Sequence, residues 1–119
     1  MSAIRRVLHR AQPGSRGGVE AHIRRAERLA ALIADRWQIQ RPEQWRAKHL
    51  RWALEHGPGI ADAAPATRYH YYRAGRAVAA ALGRWPDWEP HLRGPWQTPD
   101  GRVSSRDQGG RPARLAGRR

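Results

Sequence analysis

The sequence predicts an all-α fold: a small bundle of three main helices, a Trp-rich C-terminal segment and disordered basic ends. Three observations carry this. Apolar residues recur at helical spacing over 19–37, 42–56 and 65–82. No stretch alternates with the period of two that a half-buried strand requires. Pro and Gly fall between the three runs, with Gly75 the interior exception. At 119 residues one domain is the default. The boundaries read as a flexible basic arm over 1–18, a helical bundle over 19–96 and a disordered basic tail over 97–119.

Residues 1–18 carry four arginines and no acid, and they end in the breaker cluster Pro13-Gly14-Ser15-Arg16-Gly17-Gly18. A short helical turn over 3–11 fits there. In the run 19–37, Val19, Ile23, Ala26, Ala30, Ile33 and Trp37 share one arc of a 100° wheel. On the opposite side Glu20, Arg24, Glu27, Arg28 and Asp35 alternate in sign at spacings that permit i,i+3 and i,i+4 pairs, as on a solvated face.

The run 42–56 opens with Pro42, suited to the first helical position, and exits at Gly57-Pro58. Trp45, Trp52 and Ala53 lie on one arc, widened by Leu50 and Leu54. Only Gln44, Lys48, Arg51 and Glu55 form a polar strip, so this helix is expected at the centre of the bundle. A loop over 58–64 leads to the run 65–82, whose apolar arc is Thr67, Tyr71, Ala74, Val78, Ala81 and Leu82. Gly83 is its stop. Gly75 borders that arc; in a helix interior it costs about 1 kcal/mol relative to Ala, so a close helix–helix approach is the expected compensation.

Residues 84–96 are dense in Trp and Pro: Trp85-Pro86-Asp87-Trp88, Pro90, then Gly94-Pro95-Trp96. A short helix or turn over 87–93 is expected, with the three indoles folded back over the bundle, each burying on the order of 200 Å². Residues 97–119 have too little apolar content to fold. A core this small, without Phe and rich in Ala, gives marginal stability of about a few kcal/mol.

Charge points to the partner. Lys plus Arg number 23 against 10 Asp plus Glu, a formal charge of +13, and Lys48 is the single lysine. Of that excess, +8 falls in the two ends and +5 in the bundle. A field this positive favours nucleic acid, and less so an anionic membrane. With no cysteine, disulfides, Cys-ligated zinc and thiol catalysis are excluded. Arg5, Arg6 and Arg10 interrupt any signal-peptide core, no apolar run is long enough to cross a membrane, and a cytoplasmic protein is expected.

The charge is least balanced over 63–86, which holds Arg68, Arg73, Arg76, Arg84 and three tyrosines but no Asp or Glu. Arg68, Tyr69, Tyr72, Arg73 and Arg76 fill an arc of roughly 140° opposite the apolar one. Arginine grips phosphates with a forked donor set, and tyrosine donates to phosphate or stacks on a base or sugar. The same five would also suit a solvated face with tyrosine rings under arginine stems. The Arg-, Gly- and Pro-rich ends would add non-specific polyanion contacts.

Other chemistry is sparse. His49 and His56 stand seven apart, whereas a helical metal pair needs three or four and a third ligand nearby. They read as core or boundary imidazoles that donate to backbone. His-x-x-Arg occurs at His22–Arg25 and His70–Arg73, but arginine is so abundant that chance matches are expected. The serines lie in the ends and no phosphate-cradling Gly loop opens a helix. No catalysis, cofactor or metal is expected.

Trp45-Arg46-Ala47-Lys48-His49-Leu50-Arg51-Trp52-Ala53-Leu54 resembles the segment that opens many integrase arm domains. Ala64-Pro65-Ala66-Thr67-Arg68-Tyr69-His70-Tyr71-Tyr72-Arg73, continuing through Ala81-Leu82-Gly83, is similar to their "small-x-x-Thr-x-x-x-Tyr … Arg … Leu-Gly" helix. The resemblance is to the SAM-like core-binding N-terminal domain of phage-type tyrosine recombinases, a small helical bundle that clamps duplex DNA. It covers about residues 43–93 and implies DNA-facing roles for Arg68, Tyr72, Arg73 and Arg76. The chain stops where a catalytic domain would begin, so DNA binding without recombination is expected. Two other classes fit the composition: a protein-interaction module that docks a partner or a second copy through Trp85–Trp96, and an RNA-binding accessory protein.

Overall fold

In the computed structural model the residues described are 3–11 and 16–102, with side chains for 3–10 and 20–102. The fold is all-α. Five helices follow in order, α1 Ala3–Ala11, α2 Arg16–Trp37, α3 Ala47–His56, α4 Pro65–Ala81 and α5 Trp85–Trp88, with 3-10 turns at Pro42–Gln44, Glu89–Leu92 and Pro95–Gln97. The α2–α4 contact is the most extensive, and α1 lies against both helices. Among the described residues there is no strand.

The helical turn expected over 3–11 is present as α1, and the departure is its docking: it buries Ile4, Val7 and Leu8 in the common core instead of lying in a flexible arm. Those three stand at i, i+3 and i+4, the spacing of one helix face. The arginines between them point elsewhere: the Arg5 guanidinium donates to both carboxylate oxygens of Glu20 at 3.0 and 3.2 Å and pairs with Glu27 at 3.5 Å. The signs expected to alternate within the 19–37 face are thus partly matched from α1.

The expected helix over 42–56 is broken in two. Trp45 is extended (φ −67°, ψ 151°) and buries its indole, and α3 starts only at Ala47. A break strands backbone groups, and two side chains recover them. Arg84 donates to the carbonyls of Glu43 at 2.7 Å and Trp45 at 3.3 Å, while the Arg46 N–H donates to His49 Nδ1 at 2.9 Å. His49 therefore accepts from backbone, the reverse of the expected direction, and its imidazole caps α3.

α4 runs over the predicted span, and its end follows the expected signal. Gly83 has φ 72°, its N–H donates to Ala80 O at 3.0 Å and the Arg84 N–H donates to Ala79 O at 2.9 Å, the paired bonds of a Schellman stop. The phase of the helix differs. Its buried residues are Tyr72, Ala74, Gly75, Val78 and Ala79, whereas Thr67 and Ala81 are exposed and Tyr71 is half-buried. The core face is rotated by roughly 60° from the predicted arc, on 100° per residue. Gly75 explains the shift: a Cβ there would stand 2.7 Å from Leu50 Cδ1, so α3 lies directly on it.

The C-terminal indoles close over the bundle as expected. Trp88 and Trp96 are buried and Trp85 is half-buried, edge-on to the Tyr72 ring at 6.0 Å. Order continues past the predicted boundary at 96: Asp100 accepts the Arg102 N–H at 3.0 Å in a turn beside Pro65. The rest of the predicted tail, 103–119, lies outside the described residues.

The close approach at Gly75 yields a test. Gly75→Val is expected to cost about 1–3 kcal/mol through overpacking against the fully buried Leu50. Combining it with Leu50→Ala should cost less than the sum of the two single changes, because the cavity of one receives the methyls of the other. Urea denaturation of the four proteins reads this coupling.

Candidate nucleic-acid interface

The five residues placed on one basic face by the sequence separate into two groups. Tyr72 is 5 % exposed and belongs to the core; burial raises its phenol above the usual tyrosine range, against the lowering by the Gln97 amide, which donates to its oxygen at 3.4 Å. Arg68 is half-buried: its Nη2 donates to Leu54 O at 2.8 Å and its guanidinium lies 5.5 Å from the centre of the Trp96 ring. Arg68 thus receives an orphan carbonyl at the end of α3. Tyr72 presents no polar group at the α4 surface, which corrects the predicted face at that position, while Arg68 is half-buried and commits one donor to the scaffold. The cause is the rotation described above, which carries positions 68 and 72 toward α3 and the C-terminal turns.

Tyr69, Arg73 and Arg76 do remain together. Arg73 and Arg76 are exposed and Tyr69 is half-buried. Arg73 lies 5.7 Å from the Tyr69 ring centre and Arg76 lies 5.6 Å from the Trp85 ring centre. These contacts set each guanidinium near an aromatic ring while both side chains stay exposed. No carboxylate among the described residues pairs with either arginine. Glu89, the acid that bears on the Tyr72 phenol, is engaged by Arg93 through two bonds of 2.9 and 2.8 Å.

One neighbouring group was missed. His22 and Arg25 of α2 come beside His70 and Arg73 of α4: Arg73, Arg25 and His70 all act on His22, and Arg25 and Arg73 act on His70. Burial is the largest cause that holds both imidazoles below their ordinary value, and the arginine charges add to it. The signal was the repeated His-x-x-Arg spacing, which only the α2–α4 packing brings to one place.

Other candidates are weaker. The expected docking surface at Trp85–Trp96 is closed, since Trp88 and Trp96 are buried. A different aromatic pair is half-exposed: Trp37 and Trp52 meet edge to face at 5.1 Å under Arg36. No cluster of three or more His, Cys, Asp or Glu among the described residues is placed to hold a metal ion, and no described helix is long and apolar enough to cross a membrane.

The two groups of residues should separate in experiment. Arg68→Ala removes a charge-to-carbonyl bond and a cation–π contact and is expected to cost about 1.5–3 kcal/mol of stability, whereas Arg73→Ala and Arg76→Ala should each stay within about 0.5 kcal/mol of the parent. Acid provides a second check. His22, His49 and His70 are held below their ordinary value, so the unfolded chain takes up protons first. Stability from the neutral imidazoles is present above the unfolded value and is lost as pH falls through the folded ones. The melting temperature should therefore drop between about pH 7 and pH 5, and His49→Phe should flatten that drop while lowering the neutral-pH value. Comparisons of the chain with protein-family models, with curated proteins and with solved structures find no match.

Proposed function

We propose that this chain is a non-catalytic DNA-binding protein that grips the phosphate backbone of duplex DNA through the outer face of α4. The observation that carries the reading is a helix with no Asp or Glu along 65–81, on whose exposed side Arg73 and Arg76 stand without a carboxylate partner beside Tyr69. A helix face that served only solvent would gain from mixed charge; this one keeps its cations available. The likeness of residues 43–93 to the core-binding domain of tyrosine recombinases supports the same reading, with Arg73 and Arg76 as its DNA-facing residues and Arg68 and Tyr72 as parts of the scaffold. Phosphate contacts dominate in such a surface, so binding is steeply salt-dependent and modest in sequence preference.

Fluorescence anisotropy with a labelled duplex at a series of salt concentrations tests this. The Arg73→Ala, Arg76→Ala double variant should bind more weakly and lower the slope of log affinity against log salt by about 2, close to one for each phosphate no longer gripped. Arg68→Ala, measured well below its melting temperature, should leave that slope unchanged. A double variant with the parent's slope removes the α4 face from the interface, and tighter binding to an RNA of the same sequence moves the proposal to RNA.

A further inference from the structure

We propose that His22, Arg25, His70 and Arg73 form a seat for a single phosphate group across the seam between α2 and α4. The inference deepens the DNA-binding reading, since the seat shares Arg73 with the α4 face. It rests on separate residues, however, and three of its four members lie outside that face.

The geometry comes from packing. Each helix carries a histidine and an arginine three residues apart, so each pair lies on one side of its helix. The α2–α4 contact sets the two pairs against each other, close enough for both arginines to act on both imidazoles. The charges that bear on His22 are Arg73, Arg25 and His70, and those on His70 are Arg25 and Arg73. No group of α1, α3, α5 or the C-terminal turns is among them. The acids nearest in sequence, Glu20 and Glu27, are drawn to Arg5 of α1. The seam therefore collects two permanent cations and two imidazoles, and among the described residues no carboxylate is bonded to either arginine.

Such a cluster has no evident use in folding. Like charges brought together oppose the compact state, and none of the four makes a hydrogen bond that ties elements together, in contrast to Arg51, Arg68 and Arg84. His22 adds a specific feature: its Nδ1 is buried without a hydrogen-bond partner. A stranded N–H is rarer in proteins than an under-used acceptor, so the ring proton belongs on Nε2. His22 then offers one neutral donor, and a charge on it would strand a second N–H. His70, the less buried ring, is the group free to gain a proton. Two forked guanidiniums, one fixed Nε2–H and one titratable imidazole together match a tetrahedral oxyanion with several acceptor oxygens.

Burial is the largest cause that holds His70 below its ordinary value, and the Arg25 and Arg73 charges add to it. A phosphate in the seat offsets those charges, so the His70 pKa rises on binding, and affinity for a phosphodiester, whose charge is constant in this range, strengthens as pH falls below neutrality. The same chemistry is supplied by a free phosphate ion and by one phosphodiester of a nucleic-acid backbone, and the experiment has an arm for each. The full chain with labelled histidines is titrated with inorganic phosphate, and separately with a short duplex, while the ring resonances of all six histidines are followed by NMR. In the phosphate arm, His22 and His70 should shift selectively, His70 should titrate at higher pH, and Arg25→Gln should weaken binding by about tenfold, as for one charge-assisted hydrogen bond. Lys48→Ala, exposed on α3 and outside both the α4 face and the seat, should leave the phosphate constant unchanged. If neither arm moves His22 and His70 beyond the other histidines, the seat is wrong, even where the duplex binds with the Arg73- and Arg76-dependent salt slope. If only the duplex moves them, and Arg25→Gln removes the effect, the seat holds a backbone phosphodiester. If phosphate moves them but the duplex does not bind, the seat stands and the DNA reading fails.

Discussion

Trp96 is the contact on which the placement of the other elements depends. Its ring is 2 % exposed and is met by two guanidiniums, Arg51 of α3 at 5.3 Å and Arg68 of α4 at 5.5 Å from the ring centre. Its Nε1–H donates to Leu92 O at 2.6 Å, so the one polar atom of the ring is satisfied inside the core. Gly94 passes beneath it, with no room for a Cβ. One side chain thus joins two helices and the C-terminal turns, and the two arginines that meet it are fixed in turn. Arg51 bonds Glu55 and the carbonyls of His91 and Arg93, and Arg68 bonds the Leu54 carbonyl. In a core without Phe, two cation–π contacts on one large ring do what several aliphatic layers do in larger domains.

The arginines therefore divide by role, and composition alone conceals the division. Arg28, Arg51, Arg68 and Arg84 donate to backbone carbonyls of other segments, those of Pro58, His91, Leu54 and Glu43 respectively. Each carbonyl sits at a helix end or a turn, where a backbone acceptor lacks a helical partner. Arginine suits this work because it reaches far and keeps its charge. Among the described arginines without such a role, Arg25, Arg73 and Arg76 gather along α4 and the α2–α4 seam, while Arg24, Arg36, Arg41 and Arg46 are exposed as well. That local gathering, more than the total of +13, underlies the proposal of a polyanion ligand.

The fold class, the C-terminal end of α2, the span of α4, the glycine stop and the inward-folded indoles were legible because each has a local cause: periodicity, a positive φ, or a large apolar ring. α2 itself starts at Arg16, inside the expected breaker cluster. The break at Trp45 and Arg46 was not legible, because its causes are an arginine some forty residues away and an imidazole inside the next helix. The docking of α1 was hidden by its own charge. Arginines among Ile4, Val7 and Leu8 read as a basic arm until Arg5 is seen to pair with α2. The phase of α4 failed for a subtler reason. A wheel weighted by hydrophobicity gives Gly75 no pull toward the core, yet the absence of a side chain at Gly75 lets Leu50 approach, and that contact turns Tyr72 inward. Of the five residues of the predicted basic face, Arg68 turned with Tyr72 and three stayed.

The same rotation that buried Tyr72 and committed Arg68 to the scaffold gathered what remains. With the small residues Ala74, Gly75, Val78 and Ala79 buried, α4 sits close on its neighbours and its flank meets the flank of α2. Arg25 and Arg73, far apart in sequence, are then held near the same two imidazoles. This arrangement carries a cost in the free protein, because each cation disfavours charge on the rings between them. A ligand that brings negative charge relieves the cost only in the folded chain, where the seam exists, and whatever binds the folded state alone also stabilises it. For a marginal core of this size, occupancy of the basic seam and persistence of the fold are thermodynamically linked: the packing that assembles the cations is strengthened by the anion they attract.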